Sequence, residues 1–230
     1  MKALSSMATR HLLADLADAA VSAGMPAVDI ESVGGVDAAA RVAAGEVVDL
    51  VFLAEDALAR LARDGHVIAR SVTPLVVSSV AAAVPDSSVE GAVAPVGDAF
   101  ADAAGMREAL RSAGRVGYST GPSGDALTRL IDEWGLRAEL SLEQARPGRP
   151  VATLLAAGDV ELGFQQLSEL VGQPGIRILG ALPGDCAIDT VFAGAVAARS
   201  SDARSAADLL AFFARPERAE LTAAHAFTPA

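Results

Sequence analysis

The sequence predicts an α/β fold of two lobes, each a mostly parallel sheet flanked by helices, with a cleft between the lobes. Short apolar segments alternate with amphipathic ones from the first residue, which is typical of a parallel α/β sheet. The alternation starts again in the middle of the chain, and two long apolar segments, 74–85 and 190–198, lie on either side of it. We therefore expect a discontinuous first lobe, residues 1–80 plus 190–230, and a second lobe of residues 81–189.

The first lobe begins with three strand–helix units. Residues 2–6 predict a strand, and residues 10–23 a helix with leucines on one face. Residues 48–53 are apolar apart from Asp49, as expected for a parallel strand buried on both faces. The other elements predicted up to residue 64 are a strand over 27–31 and helices over 37–44 and 56–64.

The second lobe repeats the pattern, and two helices follow the second long apolar segment. The elements predicted there are strands over 115–118, 137–140, 159–164 and 176–180, and helices over 98–113, 125–135, 150–157, 166–171, 203–214 and 216–224.

Composition excludes several classes of function. The formal net charge of the 230 residues is −11, which argues against nucleic acid or an anionic membrane as a partner. No apolar run approaches the roughly 20 residues that a membrane-spanning helix needs. The single cysteine, Cys186, excludes an internal disulfide and a cysteine-based zinc cluster. We expect no metal and no cofactor.

Small or hydroxyl residues stand at four predicted strand-to-helix junctions. In α/β folds these junctions lie at the carboxyl ends of the strands, where ligands bind. A helix N-terminus also offers free N–H groups and a positive dipole end, so it holds anions without formal charge. Each residue taken singly is explained as a helix cap, whereas four such junctions together indicate an anion site. Its candidate ligands are Ser5, Ser6, Thr9, Gly34, Gly35, Ser119, Ser123, Gly124, Gln165 and Gln166.

Charged and catalytic candidates are few. Arg10 opens a helix, where a cation opposes the dipole, so we treat it as a candidate ligand. No Ser-His-Asp spacing, metal-ligand cluster or phosphate-binding loop is visible. If the protein is an enzyme, the candidate bases are His11, Asp125 and Asp189. Each is explained equally well as a surface, cap or turn residue.

The chain resembles the type II periplasmic solute-binding proteins, in the branch of the molybdate-binding proteins. The resemblance runs over nearly the whole sequence. Its strongest segments are Ala-Gly-x-x-x-Asp-Leu from Ala44 and Gly-Phe-Gln-Gln-Leu-Ser-Glu-Leu from Gly163. It implies two α/β lobes joined by crossover strands, and an oxyanion held by hydroxyls and backbone N–H groups.

The resemblance also implies which loops hold the anion. By position it places Ser6-Met7-Ala8, Gly34-Gly35-Val36 and Ser123-Gly124 at the ligand. Three hydroxyls of a molybdate site are replaced, because they fall on Ala8, on Gly35 or Val36, and on Gln166. These departures point away from molybdate and towards a carboxylate or another oxyanion.

Three functions remain open from the sequence. The first is a binding protein that closes on a small anion and delivers it to an ABC transporter permease. The second is a cytoplasmic isomerase of small di- or tricarboxylates, because some relatives of this branch, the aconitate isomerases, move a proton on a tricarboxylate. The third is a ligand-sensing module. No signal peptide is visible, so we expect a cytoplasmic protein if Met1 is native and a periplasmic one if a leader was removed.

Overall fold

A computed structural model describes residues 1–87, 90–146 and 149–230. Its strands are β1 Lys2–Ser6, β2 Asp29–Val33, β3 Leu50–Ala54, β4 Thr73–Pro85, β5 Val116–Tyr118, β6 Leu142–Gln144, β7 Leu162–Gln166, β8 Ile176–Ala181, β9 Asp189–Val196 and β10 Thr228–Pro229. Its helices are α1 Arg10–Ser22, α2 Gly35–Ala43, α3 Glu55–Arg63, α4 Ala103–Ser112, α5 Pro122–Glu133, α6 Val151–Ala156, α7 Leu167–Leu170, α8 Ala203–Phe213 and α9 Ala219–Ala224.

The chain divides into two compact units, Met1–Val77 with Thr190–Ala230, and Ser78–Asp189. The change from the first unit to the second falls within β4, three residues before the predicted boundary at 80/81. β4 is one uninterrupted strand of 13 residues, and its first residues belong to the first unit and its last residues to the second. This length explains the long apolar segment of the sequence.

The sheet of the first unit has a parallel centre and an antiparallel neighbour. β1 pairs in parallel with β2 on one side and with β3 on the other, and β3 pairs antiparallel with β9. β3 is buried along its whole length, as its continuous apolar sequence predicts. Leucines of α1 and phenylalanines of α8 pack together on this sheet, and α2 and α3 contribute to a second cluster.

The second unit likewise has a parallel centre and antiparallel neighbours. β5 pairs in parallel with β6 and β7, while β4 pairs antiparallel with β7 and β8. Its core contains apolar side chains of α4 and α5, and a separate cluster includes α6. In both units the parallel strands end at loops that lead into helices, and these loops carry the candidate ligands.

One predicted strand of the second unit is wrong, and one predicted helix has shifted bounds. The strand expected over 137–140 is a 3-10 turn, Arg137–Glu139, and the strand follows it as β6. The helix expected from Asp125 begins three residues earlier, at Pro122. Proline suits a first helical position because its missing N–H would have no helical acceptor there.

Candidate functional site

Ser5, next to the end of β1, uses its hydroxyl within the protein. The parallel register pairs Ser5 with Ser32 of β2, and their Oγ atoms lie 2.6 Å apart. Ser5 Oγ also donates to the carbonyl oxygen of Ser6 at 3.2 Å, and the residue is fully buried. Ser5 therefore ties β1 to β2, and its hydroxyl is not free for a ligand.

Ser6, the last residue of β1, has a different environment. It is only 6% exposed, and among the described residues its Oγ has no hydrogen-bond partner. Its carbonyl oxygen accepts hydrogen bonds from Ser5 Oγ and, at 3.4 Å, from Thr9 Oγ1. A buried hydroxyl without a partner costs about 1–3 kcal/mol. Ser6 is thus the hydroxyl of this unit that a ligand would satisfy.

The N-terminus of α2 lies against the Ser6 side chain. A Cβ placed on Gly35 would be 3.6 Å from Ser6 Cβ. Gly34 is the N-cap, and its carbonyl oxygen accepts the first helical hydrogen bond, from Ala38 N–H at 2.9 Å. The N–H groups before Ala38 have no acceptor within the helix. Ser6 and this helix terminus together form a group of donors, which we call the Ser6–α2 site.

Val36 and Asp37 follow Gly35 in the first turn of α2. Val36 is 64% exposed at the second position of α2. Asp37 follows it in the first turn, and its Oδ2 lies 3.3 Å from the point that a Cβ on Gly34 would occupy. The Asp37 carboxylate therefore already places a negative charge at the positive end of the helix dipole. From the sequence, residue 37 was predicted only as the start of the helix over 37–44.

The start of α1 contains three candidate ligands and one candidate base. Met7 and Thr9 lie in a 3-10 turn that leads into the helix, and Thr9 is buried. Arg10 Nε donates to His11 Nε2 at 2.9 Å. Burial and the nearby Arg10 and His225 lower the pKa of His11 below its ordinary value. His11 is therefore neutral near pH 7, and its Nε2 lone pair accepts from Arg10.

In the second unit, the loop between β5 and α5 holds a pair of hydroxyls. Ser119 Oγ lies 2.9 Å from Ser123 Oγ, and both residues are buried. One hydroxyl proton lies in this bond, so the other can be donated outside the pair. Gly121, the N-cap of α5, has φ 84°, a conformation that favours glycine. A Cβ on Gly124 would collide with the Ser119 carbonyl oxygen, which shows how closely the helix start packs on the loop.

The two glutamines at the end of β7 are both buried. Gln165 Oε1 accepts from Val151 N–H at 2.6 Å, at the first residue of α6. Gln165 therefore holds the start of this helix, and only its amide NH₂ remains to be donated to a ligand. Gln166 is the N-cap of α7, to which its side chain makes no capping hydrogen bond.

The remaining catalytic candidates lie on exposed parts of the second unit. Asp125 is exposed on the first turn of α5. Asp189, the first residue of β9, accepts a hydrogen bond from Ser79 Oγ at 2.6 Å. Ser79 and its buried neighbour Ser78 are not among the predicted site residues, and the Oγ of Ser78 lies 3.3 Å from Ser168 Oγ. The available signal was this pair of serines within the long apolar segment.

Metal-ligand clusters and membrane-spanning helices are absent from the described residues, 1–87, 90–146 and 149–230. In these ranges no group of three or more His, Cys, Asp or Glu side chains is placed to hold a metal ion. The helices of the same ranges are too short or too polar to cross a lipid bilayer. Cys186 is buried, and its Sγ donates to Met106 Sδ at 3.7 Å.

Comparison with known families gives a match over nearly the whole chain. The profile of the family described as bacterial extracellular solute-binding protein matches residues 1–228. The chain belongs to this family. This solute-binding protein is also 32% identical over 182 residues to an aconitate isomerase of a Pseudomonas species, a match that covers 78% of the chain and 67% of the relative.

Solved structures agree with the family assignment. The periplasmic molybdate-binding protein of Azotobacter vinelandii superposes with a TM-score of 0.76 at 18% identity, over 100% of this chain and 99% of that one. The sulfate-binding protein SubI of Mycobacterium tuberculosis gives a TM-score of 0.72 at 16% identity, over 100% of this chain and 86% of that one. The resemblance to type II periplasmic solute-binding proteins and the α/β fold class are thus confirmed. At these identities the neighbours show the fold alone.

Proposed function

We propose that this solute-binding protein binds a small anion, an organic carboxylate or an oxyanion, at the strand-to-helix loops and delivers it to an ABC transporter permease on the outer side of the cytoplasmic membrane. The observation that supports an anionic ligand is the buried Ser6 side chain. Its hydroxyl lacks a partner among the described residues, and its Cβ lies against the N-terminus of α2. A hydroxyl and helix N–H groups are donors, and a negatively charged acceptor satisfies both.

The second unit supports the same chemistry. The Ser119–Ser123 pair keeps one proton to donate, and it lies at the N-terminus of α5, a helix of 12 residues. Arg10, the formal cation among the candidate ligands, interacts with His11. Four N–H groups of its guanidinium are left for a ligand, so Arg10 adds a charged donor to the hydroxyls and helix N–H groups. The transporter and the compartment are proposed from the family, whose description is extracellular solute-binding protein.

Calorimetric titration tests the anion. The protein is titrated with molybdate, tungstate, sulfate, succinate, citrate and trans-aconitate. The same titrations are then repeated with the Ser6→Ala variant. We expect micromolar or tighter binding of at least one anion, and a loss of about tenfold or more in Ser6→Ala, as for one charge-assisted hydrogen bond. Ser112→Ala, an exposed serine at the end of α4, is the control and should bind as the wild type does. Absence of binding to every anion would refute the proposal.

A second candidate function rests on the aconitate isomerase relative. Isomerisation of a tricarboxylate needs a base that removes a proton from carbon and donors that stabilise the enolate-like intermediate. His11, Asp125 and Asp189 are the candidate bases, and the neutral His11 has the suitable protonation state near pH 7. Incubation with trans-aconitate in heavy water tests this function by NMR. If the spectra show no deuterium exchange and no second isomer, the isomerase function is refuted and binding remains the function.

A further inference from the structure

The chain passes between its two units at two points, Val77/Ser78 within β4 and Asp189/Thr190 at the start of β9. These two strands are neighbours in the sheet. With a single cysteine, the chain offers no other covalent connection between the units. A movement of one unit as a body must therefore be taken up by backbone torsions at these two points. Contacts made to β4 and β9 there affect how easily those torsions change.

A short segment after α9 contacts both strands on the side of the first unit. β10 pairs antiparallel with β4 at Val77 and Val76, the last two residues before the first passage. The adjacent Phe227 packs its ring edge-on against Phe192 of β9, with 6.3 Å between the ring centroids. Phe192 is the third residue beyond the second passage. The side chains of Val76, Phe192 and Phe227 are buried in one cluster.

This segment leaves α9 through a tight corner. Ala226 N–H donates to the Ala223 carbonyl oxygen at 3.0 Å, and Phe227 N–H donates to that of Thr222 at 3.2 Å. These are the two hydrogen bonds of a Schellman motif. Among the non-glycine residues of the described ranges, Ala226 is the one with positive φ, at 59°. Glycine usually takes this position because a Cβ is disfavoured there. The corner fixes Phe227 and β10 relative to each other.

We propose that residues 226–229 form a strap that couples β4 to β9 where the chain passes between its units, so that both strands are held or released together. The β10 contact is the weaker one, because it consists of two residue pairs and both of its residues are exposed. Phe227 is the stronger contact, at 4% exposed. Since the corner joins the two contacts, weakening β10 also loosens Phe227 on β9. The strap acts in the ligand-free protein and so goes beyond the proposed function.

Hydrogen exchange of backbone amides, followed by NMR on the ligand-free protein, tests the coupling. Thr228→Gly lowers the strand propensity of β10 and removes no buried side chain, because Thr228 is exposed. We expect exchange about fivefold faster at Val76 and Val77, and faster by a similar factor at Phe192. Thr73→Gly is the control, since it makes the same change at the first residue of β4, outside the pairing with β10. In this control, exchange at Phe192 should stay at the wild-type rate.

A second variant should act in the opposite direction. Ala226→Gly removes the Cβ from a residue with positive φ, so the corner becomes more stable and the strap is held more firmly. We expect slower exchange at both Val77 and Phe192. A response confined to one of the two strands, or no response, in either strap variant would overturn the proposal. Faster exchange at Phe192 in Thr73→Gly, equal to that in Thr228→Gly, would also overturn it, because β4 and β9 would then be coupled without the strap.

Discussion

Ser6 and Gly35 face each other with 3.6 Å between the Ser6 Cβ and the position that a Cβ on Gly35 would take. This separation is an ordinary van der Waals contact, so a methyl group fits there without displacing its neighbour. The methyl group would lie beside the Ser6 Cβ, at the first residue of α2. A substitution at Gly35 can therefore change binding without a loss of stability.

Gly35→Ala should keep the stability of the protein and weaken its ligand. Alanine is a better helix former than glycine by about 0.5–1 kcal/mol, so we expect an equal or higher melting temperature. The added Cβ lies beside Ser6 at the start of α2, so a ligand bound at the Ser6–α2 site has less room, and we expect its affinity to fall at least tenfold. Thermal unfolding and calorimetric titration of one preparation measure both. A variant that binds as tightly as the wild type would place the ligand elsewhere.

Ser5→Ala and Ser6→Ala should change stability in opposite directions. The Ser5 hydroxyl has two partners, and its removal leaves Ser32 Oγ without one, so we expect a loss of about 1 kcal/mol. The Ser6 hydroxyl is buried without a partner, so its removal should raise the free energy of unfolding of the ligand-free protein by about 1 kcal/mol. Urea unfolding without ligand measures both. A Ser6→Ala variant destabilised as much as Ser5→Ala would show that Ser6 Oγ has a protein partner.

Gly124→Ala should destabilise the second unit. Its Cβ would collide with the Ser119 carbonyl oxygen, a backbone atom that cannot move without shifting the loop. We expect a cost of about 2 kcal/mol or more, in the range of overpacked sites. Gly184→Ala is the control because a Cβ there meets nothing within 4 Å. If the two variants unfold at the same urea concentration, the loop does not pack as described.

The ion pairs of Arg41 predict a pH dependence of stability. Arg41 forms hydrogen bonds with Glu31 and Glu46, at 2.6 Å to each, and these lower the pKa of both carboxyl groups from the ordinary value of 4.5. A lowered pKa contributes stability above the ordinary value and loses it as pH falls through the lowered one. Arg41→Gln should therefore melt below the wild type at pH 7, with a difference that shrinks below pH 4.5. A difference that stays constant with pH would contradict this assignment.

The sequence was sufficient to locate the strands that are buried, because burial gives them a recognisable pattern of apolar residues. β1 covers the predicted residues 2–6, with residues 3–6 buried, and β3 is displaced by only one or two residues from its prediction. β6 was misplaced because it is an edge strand, paired with β5 among the described residues, and its Glu143 and Gln144 are exposed. Such a strand has no buried face and therefore no apolar alternation to detect.

The candidate site was only partly predictable for a related reason. The junctions are visible in the sequence because serine and glycine stand out at strand ends. The sequence does not show that the Ser5 hydroxyl is consumed by Ser32 while the adjacent Ser6 hydroxyl has no partner. That difference depends on which strand lies beside β1, which is a long-range property. The Gln165 bond to Val151 N–H is long-range in the same sense.

The most direct test is a crystal structure of the protein with the anion that binds most tightly in the titrations. We predict an oxygen of the ligand within hydrogen-bond distance of Ser6 Oγ, roughly 2.5–3.0 Å, and within reach of the first N–H groups of α2. A ligand bound elsewhere, with Ser6 Oγ still unpartnered beside Gly35, would contradict the account.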